Sequence, residues 1–117
     1  MALPQNYLTK LVELSANISA GQSISDIINV FGASVLALIL PMNFTSSTVT
    51  FDASQDGINF YSLVDGYTGN PLQLICGNNT FARILPADLV GVQALKIKTS
   101  AIQASDVVIK VVCGPLL

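Results

Sequence analysis

The residues best placed for local chemistry lie in "DASQDG", positions 52 to 57. Asp52, Ser54 and Asp56 put an oxygen-bearing side chain at every second position, and Gly57 follows. That is the opening of a calcium loop of the EF-hand type, which must be closed by a bidentate Glu at its twelfth position. Counted from Asp52, the twelfth residue is Leu63 and the ninth is Phe60, both apolar. The flanks alternate like strands, where such a loop needs helices. A hairpin accounts for every residue instead. Val49, Phe51 and Ala53 run down one strand, Asp56-Gly57 supplies the positive-φ turn, and Ile58 to Leu63 returns. Ser54 and Asp56 then bond local backbone amides. No metal site is expected.

Nothing else in the chain forms a catalytic set. Proton transfer and nucleophile activation usually rely on His, or on a carboxylate or lysine in a perturbing pocket. The chain has no His, one Glu (Glu13) and one Arg (Arg83). No Gly-x-Ser-x-Gly elbow and no glycine-rich phosphate loop occur. Asp52, Asp56, Asp65, Asp88 and Asp106 fall mostly at predicted turns, where backbone bonding is their ordinary work. The expectation is a protein that is not an enzyme and has no cofactor. Cys76 and Cys113 end two apolar runs, "PLQLIC" and "VVIKVVC". They are read as buried free thiols, with a disulfide left open if their strands are neighbours.

The elements that position these residues follow from composition and period. The 117 residues fit one domain, 1–117, with 51% hydrophobic and 10% charged residues. Roughly 25% charged is usual for a soluble domain. Some surface is therefore expected against another subunit, the alternative being a monomer coated with Ser, Thr and Asn. Net charge is −2, and Lys96 and Lys98 alternate along one strand instead of forming a basic patch. Nucleic-acid binding is not expected. The apolar run "IINVFGASVLALIL" ends at Pro41, short of the roughly 20 residues that span a bilayer.

Hydrophobic period is two almost throughout. Leu95 and Ile97 oppose Lys96 and Lys98, while Val107, Ile109, Val111 and Cys113 share a face opposite Lys110. "SVLALIL" is apolar on both faces, as in a central strand or one whose outer face is covered. Strands are predicted at 7–15, 23–30, 34–41, 47–55, 58–64, 72–76, 80–85, 93–99 and 106–113, an antiparallel all-β sandwich or barrel. "SISDIINVFG" has a short helix as its alternative. One helical turn is predicted near 86–90, where Pro86 suits a helix start and Gly91 a stop.

Over residues 7 to 113 the order of motifs resembles that of small virion structural proteins of tailed bacteriophages. The resemblance is carried by "VLALILPMNFTSSTVTFDASQDG" with its return "INFYSL", by "FARILPADLVGVQALKIKTS", and by the closing "VVIKVV". Phe44 stands where the pattern has Trp, and "VQALKIK" lacks an Arg-aromatic pair. The resemblance implies a jelly-roll-like β-sandwich that serves as a capsid decoration or cement protein. Such a protein is made in the host cytoplasm, carried on the virion surface, and bound as an oligomer to the major capsid protein or other virion proteins. A tail or neck component remains open. Residues 1–6 either lie across a neighbour as an arm or fray. Partner contacts are placed at Pro4, Tyr7, Tyr61 and Tyr67. The Ser-x-Asp-Gly hairpin and late basic strand also look like a carbohydrate-binding sandwich of the galactose-binding type. In that reading Tyr61 and Tyr67 are the sugar platforms, while Phe51 and Phe60 are buried by alternation.

Overall fold

A computed structural model of the chain describes residues 11–84, 89 and 91–114. Among them lie β1 (Val12–Ile18), β2 (Ile28–Asn29), β3 (Ser34–Leu40), β4 (Thr48–Ser54), β5 (Tyr61–Ser62), β6 (Gln73–Ile75), β7 (Thr80–Arg83), β8 (Ala94–Thr99) and β9 (Val107–Gly114). One sheet has the order β1-β9-β3-β7. The other runs β2-β8-β4-β5, and β6 joins β5 on the same edge of β4. Every strand pairing is antiparallel. With β5 and β6 counted as one edge position, successive strands pass between two four-position sheets at every step but β4 to β5, which is jelly-roll topology.

Alternation dictates the layers. Val107, Ile109, Val111 and Cys113 of β9 point inward and are buried, as are Val49 and Phe51 of β4 and Leu95 and Ile97 of β8. With Ala16, Ile18, Val35, Leu38 and Leu40 they form one core between the sheets. β3 is central, between β9 and β7, which explains its apolar letters on both faces. A bulge between Val35 and Ala37 inserts Leu36 as an extra residue.

Several predicted boundaries move. The first strand occupies Val12–Ile18 instead of 7–15, because the inward series continues through Ala16 and Ile18; residues 7–10 lie outside the described residues, as does the arm at 1–6. The segment 23–30 is neither a full strand nor a helix. It tracks β8 through a bridge at Ile24 and the short β2, with Ser25 Oγ accepting the Ile97 N–H at 2.9 Å between them. A side chain there replaces one step of the ladder. The helical turn predicted near 86–90 falls almost wholly outside the described residues. No helix among the described residues is long and apolar enough to cross a membrane.

Candidate functional site

The 52–57 stretch turns the chain, by a wider loop than a tight hairpin. Only Tyr61 and Ser62 return along β4, opposite Ala53 and Asp52. Gly57 has the expected positive φ of 75°. Asp56 organises the loop: its Oδ1 accepts the backbone N–H groups of Ile58 and Asn59, each at 2.8 Å, and the Ser54 hydroxyl at 2.9 Å. Its Oδ2 accepts Asn59 Nδ2 at 2.8 Å. Ser54 Oγ in turn accepts Gly57 N at 2.8 Å and Asp56 N at 3.2 Å. The backbone bonds to Asn59 and Ile58, then the side-chain bonds, hold the Asp56 carboxyl well below the usual carboxylate range. Both oxygens face local donors, so the loop spends its ligand atoms on itself. Ser54, outward by alternation, is buried because the loop folds back over it.

Asp52 lies within β4 and not at a turn. Its Oδ1 stands 2.9 Å from Lys98 Nζ on the neighbouring strand. That oxygen is buried and meets no donor at hydrogen-bonding angle, so the contact is an ion pair. It is worth roughly 0–1 kcal/mol at such partial exposure. Lys96 Nζ sits 4.5 Å from the Phe60 ring centroid. Phe60 is therefore half-buried on the outer face and not in the core with Phe51, because the wider loop carries it past the strand. Asp65 does the turn work expected of it, its Oδ1 accepting Tyr67 N at 2.8 Å, whereas Asp106 reaches across to another loop, its Oδ1 accepting Ala20 N at 2.8 Å. Asp88 is outside the described residues. Cys76 and Cys113 are free and buried, and burial pushes both thiols up, away from reactive thiolate.

The predicted tyrosines come to one edge. After β5 the chain makes an excursion closed by Asp65 N to Asn70 O, Gly69 N to Asp65 O and a Val64–Pro71 bridge. Tyr67 stands at its tip, fully exposed at 101%. Tyr61 is 71% exposed, Ile75 88%, and Ile58 and Val64 are exposed as well. Tyr61 also lines a cleft of about 260 Å³ with Ala53, Ser54, Gln55, Asp56, Asn59 and Val92. Much of that cleft's polar chemistry is engaged already, since Gln55 Nε2 donates to Gly91 O at 2.9 Å and Asn59 Nδ2 to Asp56. Pro4 and Tyr7 lie outside the described residues.

Two features carried no sequence signal. Gln103 is buried at 1% exposure and ties together the loops at the opposite end of the sandwich. Its Oε1 accepts Thr45 N at 2.8 Å, and its Nε2 faces Thr45 O, Ala101 O and Thr99 Oγ1 at 3.2–3.3 Å. Phe31 has φ 51° and precedes Gly32 at φ 79°, in a primed turn closed by Ala33 N to Val30 O at 3.0 Å. An aromatic there is costly, and this one is 71% exposed.

No protein-family model matches the chain, and no curated protein sequence matches it. Solved structures do. The chain is similar to the SPBc2 prophage-derived protein YomS, at 15% identity and a TM-score of 0.55, over 92% of this chain and 96% of that one. It is also similar to CBM32-1 from a family 31 glycoside hydrolase of Clostridium perfringens, at 16% identity and a TM-score of 0.52, over 89% and 76%. The likeness is one of fold. Both structures overlay nearly the whole two-sheet framework, and neither identity carries a site residue across.

Proposed function

We propose that this protein is a structural component of a tailed-phage particle, a decoration or cement protein that binds the major capsid shell and strengthens it. The observation that carries this reading is the β5–β6 edge, where Tyr61 of β5, Ile75 of β6 and Tyr67 in the excursion between them stand exposed on a hydrogen-bonded β-framework. Exposed apolar groups concentrated at one edge mark a contact surface. Aromatic side chains bring large contact area at little entropic cost. Many weak contacts of this kind become strong on a repeating shell through effective concentration. The overlay on a prophage-derived protein supports the reading at the level of fold. The protein acts by position, as an oligomer on the particle surface, without turnover, nucleic acid or membrane.

The test is quantitative mass spectrometry of particles purified from the host that carries the gene. A fixed ratio to the shell protein is expected, reduced by Tyr67→Ser and Ile75→Ser. Detection only in tail fractions would move the protein to the tail or neck, and absence from particles would overturn the proposal. A second reading, a carbohydrate-binding module, is favoured by Tyr61 standing beside Asp56 and Asn59 in the cleft and by the overlay on CBM32-1. A glycan array decides it: binding that Tyr61→Ala abolishes would establish that reading.

A further inference from the structure

The outer face of the β1-β9-β3-β7 sheet is apolar where solvent should favour polar groups. Phe81 and Val108 are exposed on it, and Leu36 and Ile39 are partly so. Leu11, also exposed, and Leu36 lean over Gly114, where an added Cβ would lie 2.9 Å from Leu36 Cδ1 and 3.7 Å from Leu11 Cδ2. A groove of about 240 Å³ opens beside them, walled by Phe81, Arg83 and Val112.

Register arranges the charges on this face. Glu13 pairs with Val112, Val112 with Ala37, and Ala37 with Arg83, so one row across four strands reads acid, apolar, apolar, base. The next row reads Ser15, Lys110, Ile39, Phe81. Among the described residues neither Glu13 nor Arg83 has a salt-bridge partner, the single ion pair there being Lys98–Asp52.

We infer that this face packs against the same face of a second copy, about a two-fold axis running parallel to the strands. That operation exchanges β1 with β7 and β9 with β3 while keeping each row at its own height. Glu13 of one copy then meets Arg83 of the other, twice, and Val112 meets Ala37. In the second row Phe81 covers Ser15, and the Lys110 stem lies over Ile39. A two-fold axis across the strands would instead bring Glu13 near its own copy, so the charges select the axis. Stacked sheets lie about 10 Å apart, within the joint reach of a Glu and an Arg side chain. Sheets stacked with nearly aligned strands are a standard packing mode, and an isologous contact of this kind closes on itself. The charge row thus favours a second copy over a foreign partner. Four strands at about 4.8 Å spacing make a modest face, so a micromolar dimer is expected, at the lower end of specific interfaces. This deepens the oligomeric part of the proposed function by naming its contact.

Sedimentation equilibrium on the purified full-length chain tests it without particles, so this inference and the proposed function fail separately. The wild type should dimerise with concentration. Glu13→Arg and Arg83→Glu, both at exposed positions, should each weaken the dimer by at least about tenfold, and the double exchange should restore it. Unchanged melting temperatures would confirm that the variants fold. A chain monomeric into the hundreds of micromolar, as expected if residues 2–10 or another protein cover this face, would overturn the inference. So would a dimer indifferent to both single reversals, or one that the double exchange fails to rescue.

Discussion

Gln103 is the most exacting test of how the loops are held. Replacing it with Leu removes the four side-chain hydrogen bonds to Thr45 N, Thr45 O, Ala101 O and Thr99 Oγ1. The amide nitrogen has only two hydrogens to share among its three acceptors, so the set amounts to about three hydrogen bonds, or about 3 kcal/mol at about 1 kcal/mol net each. The buried leucine returns roughly 1 kcal/mol. The net loss is about 2 kcal/mol. With an unfolding entropy of about 2.1 cal/mol/K per residue, this lowers Tm by about 8 °C. Gln103→Glu should cost more at neutral pH, because it keeps the acceptor for Thr45 N but turns a carboxylate oxygen toward three acceptors. Urea denaturation with unchanged m-value is the assay, with amide exchange at Thr45 as the local readout. A Leu variant within about 0.5 kcal/mol of wild type would refute the reasoning, since changes that small are typical of surface positions without structural partners.

Three further outcomes are expected. Phe31→Asn should stabilise the chain by about 0.5–1 kcal/mol in urea denaturation, since Asn tolerates the left-handed conformation and the largely exposed ring gives up little packing; destabilisation would show that the ring is held by contacts. Asp56 is depressed in the folded chain, so its contribution is full above the unfolded value of about 3.9 and is lost as pH falls through that value toward the folded one. Amide protection at Ile58 and Asn59 should decline over that window, and Asp56→Ala should remove both the protection and its pH dependence. Excess chelator should leave Tm unchanged, because the Asp56 oxygens are saturated by protein donors; a fall would place an ion in the 52–57 loop.

Much of the framework was legible in the letters. A pleat turns side chains to opposite faces at every step, so "VVIKVVC" and "ALKIK" could be sorted into core and surface without knowing their neighbours. "SVLALIL", with no polar face, announced a central strand. Asp56-Gly57 announced a turn, whereas the exposure of Tyr61 and Tyr67 had to be read from the structure, since period alone leaves scattered tyrosines free to pack in the core or at its rim. At the 52–63 stretch local pattern misled because of a loop. The wider 55–60 connection folded over Ser54 and carried Phe60 outside the core, because one carboxylate gathered donors over several residues.

The sequence by itself therefore determined a two-layered β-framework and which side chains enter it, since period two is a local property of an extended chain. Only the tertiary structure decided that Gln103 would lock three loops at one end, and that Glu13 and Arg83 would close the two ends of one row. Those relations join residues tens of positions apart. They depend on strand order and register, which the burial of the whole core selects and which no single stretch of sequence contains.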